Sequence, residues 1–264
     1  IFFTNVIYEG DMDMDGDIDL LSYNFFGEPL LVHENINNEY FLDGIELADN
    51  DVLSGDLKGV RLLDLDGDAD EDILMIVASG MVWFRNNGGL QFEAGIILYE
   101  GSFRPTSFDI DDANSDGFPD VLLDLGQIVA GSLEGQTLLF SGSTSGLTLA
   151  RTVSNSDNYR VSSFIDYDEI GVKDIIQSND NFLQIIGLTD FDDTFPLTKL
   201  VTGDFDDFGN YLVDDVDNDG DEDIIAFGGT ALKYFLKDED DIDGLCPYED
   251  VIILNNDQLE KYRD

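Results

Sequence analysis

Residues 215–224 read DVDNDGDEDI, with carboxylates at the first, third, fifth and ninth positions: Asp215, Asp217, Asp219 and Asp223. Gly220 fills the sixth position, and Ile224 at the tenth opens the apolar run IIAF. Two like charges about 4 Å apart repel by roughly 4 kcal/mol at an effective dielectric of about 20. A loop that gathers four of them is therefore expected to close around a hard cation. Oxygen ligands on a short loop with a turning glycine suit Ca²⁺.

The stretch recurs. DMDMDGDIDL at 11–20 supplies Asp11, Asp13, Asp15 and Asp19, with Gly16 at the sixth position. DLDGDADEDI at 64–73 supplies Asp64, Asp66, Asp68 and Asp72, but its glycine stands at the fourth position (Gly67) and Ala69 at the sixth. DANSDGFPDV at 112–121 supplies Asp112, Asn114, Asp116 and Asp120. A damaged copy, DYDEIGVKDI at 166–175, keeps Asp166, Asp168 and Asp174 but has Ile170 in place of the fifth ligand. The ninth-position aspartates lie 53, 48, 54 and 49 residues apart, a period that points to a repeat architecture. The helical EF-hand loop keeps a bidentate Glu at position 12; Ala226 stands there in the last copy, which excludes that reading.

These loops need strands on both sides. GVRLLDLD enters the second loop, DILMIVA leaves it, and MVWFRNNGG and QFEAGIIL follow. The runs are short, apolar and rich in β-branched or aromatic residues, and no stretch has helical periodicity. Four strands per unit of about 50 residues predict the blades of an all-β propeller, either closed with five blades or part of a larger one. The units fall at approximately 1–55, 56–101, 102–155, 156–202 and 203–264, within a single domain.

Composition narrows the function classes. The chain has 264 residues, 58 acids, 12 bases and a formal charge of −46, with 43% hydrophobic residues. It is a folding chain and not a disordered acidic one. The charge argues against nucleic acid and anionic membranes as partners. No apolar run reaches the roughly 18 residues of a membrane span. The chain starts at Ile1 without Met, as a mature or excised piece does. The single cysteine, Cys246, has no partner for an internal disulfide, and metal is expected to provide the staples.

The loops resemble the FG-GAP and VCBS repeats, the calcium-loop propellers that include the integrin α-subunit head. WFRNNGGLQF at 83–92 is similar to a segment of VCBS repeats in secreted surface proteins of Bacteroidetes. The resemblance implies about four structural Ca²⁺ ions. Their ligands would be the side chains at positions 1, 3, 5 and 9 and the carbonyl of position 7: Asp17, Asp70, Phe118 and Asp221. Two departures stand out. Ala69 occupies a left-handed turn position at a cost on the order of 1 kcal/mol, with Gly67 as a possible relief. Ile170 removes a ligand from the loop at 166–174, which is expected to be empty or weak.

The expected function is non-catalytic: an extracellular adhesion or protein-interaction module of a cell-surface or secreted assembly. The lone His33 lies on a strand, and no nucleophile–base pair, phosphate loop or zinc spacing is present. A lectin-like, glycan-binding propeller is the alternative. Its aromatic platforms would have to come from Trp83 and scattered tyrosines. A polysaccharide-degrading enzyme using paired carboxylates ranks below it.

Overall fold

The computed structural model describes residues 6–23, 30–47, 57–129, 132–154, 159–167, 171–179, 183–191, 197–202, 208–216, 218, 220, 222–228, 231–235 and 252–254. Among these residues every regular element is a strand. The first sheet contains β1 (Val6–Gly10), β2 (Asp19–Tyr23) and β3 (Leu31–His33); β4 (Asn35–Ile36) and β5 (Tyr40–Phe41) form a separate ribbon, and β6 (Ile45–Glu46) completes the sheet on β3. The second runs through β7 (Leu57–Leu63), β8 (Asp72–Val77), β9 (Gly80–Phe84) and β10 (Ile96–Glu100). The third comprises β11 (Arg104–Asp111), β12 (Asp120–Val129), β13 (Ser132–Ser141) and β14 (Thr148–Ser154). The fourth holds β15 (Tyr159–Ile165), β16 (Asp174–Asn179), β17 (Leu183–Gly187) and β18 (Leu197–Thr202). The fifth holds β19 (Phe208–Asp214), β20 (Asp223–Gly228), β21 (Ala231–Phe235) and β22 (Ile252–Leu254). All pairings are antiparallel; the second to fifth sheets are plain meanders, and in the first the β4–β5 ribbon intervenes between β3 and β6.

The near-continuous apolar runs follow from packing on both faces. In β8, Ile73, Met75 and Val77 pack toward the first sheet with Leu21 and Val32. Leu74 and Ile76 of the same strand pack toward the third sheet with Val121, Leu123 and Phe140. Leu122 and Leu139 then meet Phe164 and Ile175 of the fourth sheet. Ile176 and Ile185 meet Tyr211, Ile224 and Ala226 of the fifth. Each sheet therefore packs on the next in chain order, as propeller-like blades do.

One interface mixes polar groups into this pattern. Asp124 of β12, 2% exposed, accepts hydrogen bonds from Ser162 N, Ser162 Oγ and Thr137 Oγ1, each at 2.7 Å. Gln177 Nε2 donates to Thr137 Oγ1 and Ser162 Oγ at 3.0 Å. Burial raises the Asp124 carboxyl above its ordinary range in spite of these donors. Trp83 also serves packing: it is 4% exposed and lies against Gly146, whose positive φ of 81° and lack of a side chain leave room for the indole.

Candidate metal centre

In each sheet the acidic loop joins the first and second strands, and the loops sit beside one another in a row. Their internal hydrogen bonds repeat. The first-position carboxylate accepts from the backbone of the sixth residue: Asp11 from Gly16 at 3.1 Å, Asp64 from Ala69 at 2.9 Å, Asp112 from Gly117 at 3.0 Å and Asp215 from Gly220 at 3.2 Å. The third accepts from the fifth, Asp13 from Asp15 N at 3.2 Å and Asn114 from Asp116 N at 3.0 Å. The fifth accepts from the seventh, as Asp15, Asp68 and Asp116 do from Asp17, Asp70 and Phe118 at 2.9, 3.1 and 2.9 Å. Carboxylates are thus turned inward by the backbone before any ion is considered.

The ninth-position aspartate has a second task. Asp19, Asp72, Asp120, Asp174 and Asp223 are all 0% exposed. Three of them bridge two backbone donors. Asp19 accepts from Met12 N at 3.0 Å and Asn35 N at 2.9 Å. Asp72 accepts from Leu65 N at 3.2 Å and Asn86 N at 2.7 Å. Asp120 accepts from Ala113 N at 3.0 Å and Gly142 N at 2.9 Å. Asp174 accepts from Leu188 N at 2.6 Å and Asp223 from Val216 N at 3.0 Å. The carboxylate clamps the start of its loop to the chain leaving the third strand. Asn35 and Asn86 reinforce the clamp by donating from their side chains to the position-8 carbonyls, Ile18 O at 3.0 Å and Glu71 O at 3.1 Å.

Loops also touch their neighbours. Asn86 Nδ2 reaches Met12 O of the first loop at 2.6 Å. Lys173, the eighth residue of the fourth loop, donates from N to Ala113 O at 2.7 Å and from Nζ to Asp111 at 2.6 Å. Glu222, the eighth of the fifth, accepts from Asp166 N at 2.6 Å. Glu71, the eighth of the second, lies beside Gly10 and feels the charges of Asp11 and Asp19; burial first, then those charges, raise its carboxyl. The second residue of each loop, Met12, Leu65, Ala113 or Tyr167, is buried in the interface with the following sheet, whereas Val216 of the fifth loop is 38% exposed.

The donor set fits a hard divalent ion. Carboxylate oxygens of Asp11, Asp13 and Asp15, and of Asp64, Asp66 and Asp72, lie within 4.8 Å of one another. Ca–O bonds are about 2.4 Å, so oxygens on opposite sides of one ion stand about twice that apart. Asp11 Oδ1 and Asp66 Oδ1 are buried without a hydrogen-bond partner, a state that costs free energy until a cation arrives, while Asp66 Oδ2 is paired with Arg85 Nη2 at 2.6 Å. Burial pushes Asp72 and Asp120 up to about 6, and raises Asp19 and Asp66 as well, with neighbouring aspartates adding to it. The residues present would hold Ca²⁺ at Asp11, Asp13, Asp15 and Asp19, at Asp64, Asp66, Asp68 and Asp72, and at Asp112, Asn114, Asp116 and Asp120. Asp168 and Ile170 of the fourth loop and Asp217, Asp219 and Asp221 of the fifth lie outside the described residues, as does Cys246.

Backbone conformation separates the second loop from the rest. Ala69 has φ 77°, so Gly67 does not relieve it: Gly67 also has φ 77°. The fourth position is left-handed in every described near-complete loop, with Met14, Ser115 and Asn218 at 61°, 58° and 63°. Gly67 is needed there for a further reason, because a Cβ would come within 2.6 Å of the Phe118 ring of the next loop. Ala69→Gly is expected to stabilise the protein by about 1 kcal/mol, read as a higher urea midpoint, and Gly67→Ala to lower it. An Ala69→Gly midpoint at or below that of the parent would contradict the strain.

Two features outside the loops complete the region. His33 Nε2 lies 2.9 Å from Ser22 Oγ and Nδ1 lies 3.4 Å from Leu42 O, which ties β2 to the segment after β5. Arg85, which follows β9, places Nη2 at 2.6 Å from Asp66 and 3.3 Å from Asp68. Sequence reasoning passed over Arg85 because it lies 17 residues from Asp68. Its signal is its place directly before the clamped Asn86.

No curated protein sequence matches the chain. A solved structure titled "Structural basis of specific recognition of non-reducing terminal N-acetylglucosamine by an Agrocybe aegerita lection" is similar at 17% identity and a TM-score of 0.40, covering 96% of this chain and 80% of that one. Residues 64–123, from the first aspartate of the second loop into β12, match the family described as FG-GAP-like repeat, in agreement with the resemblance the loops carry.

Proposed function

We propose that the chain is an extracellular, calcium-stabilised β-propeller that serves as a non-catalytic adhesion or protein-interaction module of a cell-surface or secreted assembly. The observation that carries this reading is the recurrence of one inward-turned carboxylate loop between the first two strands of successive four-stranded sheets. About four Ca²⁺ ions would neutralise these loops, and their binding energy becomes folding energy. A rigid scaffold of this kind presents its non-repeating loops to a partner. The catalytic alternative gains nothing from His33, whose ring is engaged by Ser22 and a backbone carbonyl.

The test is cross-linking of the Ca²⁺-loaded chain to intact cells of its source, with mass spectrometry of the linked sites, alongside a glycan array. Ca²⁺-dependent links to surface proteins through non-repeating loops, with a silent array, are the expected result. Reproducible binding to one glycan class, or cleavage of a glycan, would overturn the reading.

A further inference from the structure

The residue directly before the clamped position differs in charge from sheet to sheet. The clamped residues are Asn35, Asn86, Gly142 and Leu188, so the residues before them are Glu34, Arg85, Ser141 and Gly187. Arg85 sits on the position-3 and position-5 carboxylates of its loop, 2.6 Å from Asp66 and 3.3 Å from Asp68. The Asp66 side chain is 1% exposed and that of Arg85 34%, so the carboxylate end of the pair is buried while the guanidinium end stays in part open to solvent. Asp68 is hydrogen-bonded to the guanidinium while the compact carboxylate group of that loop consists of Asp64, Asp66 and Asp72. In the first loop the corresponding group does include its position-5 residue, Asp15. There the preceding residue is an acid, Glu34.

From this juxtaposition we propose that Arg85, the residue before the clamp, sets the ion affinity of the second loop: it is a resident cation that makes this loop the last to load. The proposal rests on the reading of the loops as Ca²⁺ sites. An incoming divalent ion must displace a guanidinium from Asp66 and Asp68, whereas no base precedes the clamped residue of the first loop. The fixed cation also offsets the repulsion among the crowded carboxylates of the second loop before an ion binds.

Terbium(III), a luminescent stand-in for Ca²⁺, reads the second loop selectively. Trp83 is the single tryptophan, and its cross-strand partner Leu74 lies two residues beyond Asp72. Emission sensitised by excitation of Trp83, and abolished by Asp64→Asn, belongs to that loop. In the parent protein this emission is expected to rise only after most of the terbium uptake seen by calorimetry is complete. Arg85→Gln should move its midpoint at least tenfold lower, and Arg85→Glu further. Loop emission that saturates with the first ions bound, or a midpoint unchanged in both Arg85 variants, overturns the role of Arg85 and leaves the loops as ion sites. Absence of any terbium or Ca²⁺ uptake by calorimetry overturns the site reading itself. The parent titration needs only the Asp64→Asn control and no Arg85 variant, so a poorly folding Arg85→Gln does not protect the proposal.

Discussion

In excess EGTA the chain should melt roughly 20 °C below its Ca²⁺-loaded form, given about 2–4 °C per kcal/mol for a domain of this size. A site filled at a hundred times its dissociation constant contributes about 2.7 kcal/mol. Three or four such sites add roughly 8–11 kcal/mol, comparable to the whole stability of a typical domain. Removing the ions also leaves Asp11 Oδ1 and Asp66 Oδ1 buried without hydrogen-bond partners. The check is a thermal melt by circular dichroism with Ca²⁺ and with chelator. Superimposable melts would refute the structural role of the ions.

The same experiment has a pH signature. Asp72 and Asp120 are pushed up to about 6 by burial, against an ordinary value of 3.8. The ion-free native state therefore holds these protons more tightly than the unfolded chain. That contribution to stability is fully present below the ordinary value and is lost as pH rises through about 6. Ca²⁺ requires ionised ligands, so the loaded protein should show the opposite trend and gain stability over this window. Two melts at pH 5 and pH 7, each with and without ion, separate the cases.

Replacing Asp72 with alanine should cost on the order of 4 kcal/mol even without Ca²⁺, more than any exposed carboxylate of the same loop. Asp72 is 0% exposed and accepts from Leu65 N and Asn86 N. Its loss strands two buried backbone donors at about 1–3 kcal/mol each. It also frees the chain after β9 from the loop, and with it Asn86, which reaches Met12 O of the neighbouring loop. Asp68→Ala, whose side chain is 31% exposed, should cost much less under chelation, with its effect showing in ion affinity. Urea denaturation of both variants in EGTA provides the comparison; equal losses would mean that the clamp adds nothing beyond ligation.

Positions 1, 3, 5 and 9 announced themselves because carboxylates that recur at a fixed phase in strand–loop–strand units repel one another unless a cation gathers them. The same phase placed the sheets, since β8, β12, β16 and β20 all leave a loop as aliphatic runs. What the loops do to each other was hidden. The second position is filled by Met12, Leu65, Ala113 or Tyr167, because each interface leaves a different volume to plug. The fourth is left-handed yet carries Met, Gly, Ser and Asn, so no residue type marks it. The clamp partners of the ninth aspartate lie 16, 14, 22 and 14 residues away, at distances no short motif spans. The ribbon of β4 and β5 was missed because its two-residue strands are too short to show a period.

Three of the eighth-position side chains reach another loop, and all three reach the same way. Glu71, Lys173 and Glu222 each lean on the loop of the sheet before them. The row consequently has a grain, and the unit that can be transplanted is the seam between two sheets and not a sheet by itself. A sheet cut out at its own boundaries carries off the arm it extends backward and abandons the one extended to it, so grafted or duplicated repeats would need the eighth residue of the following loop to travel with them.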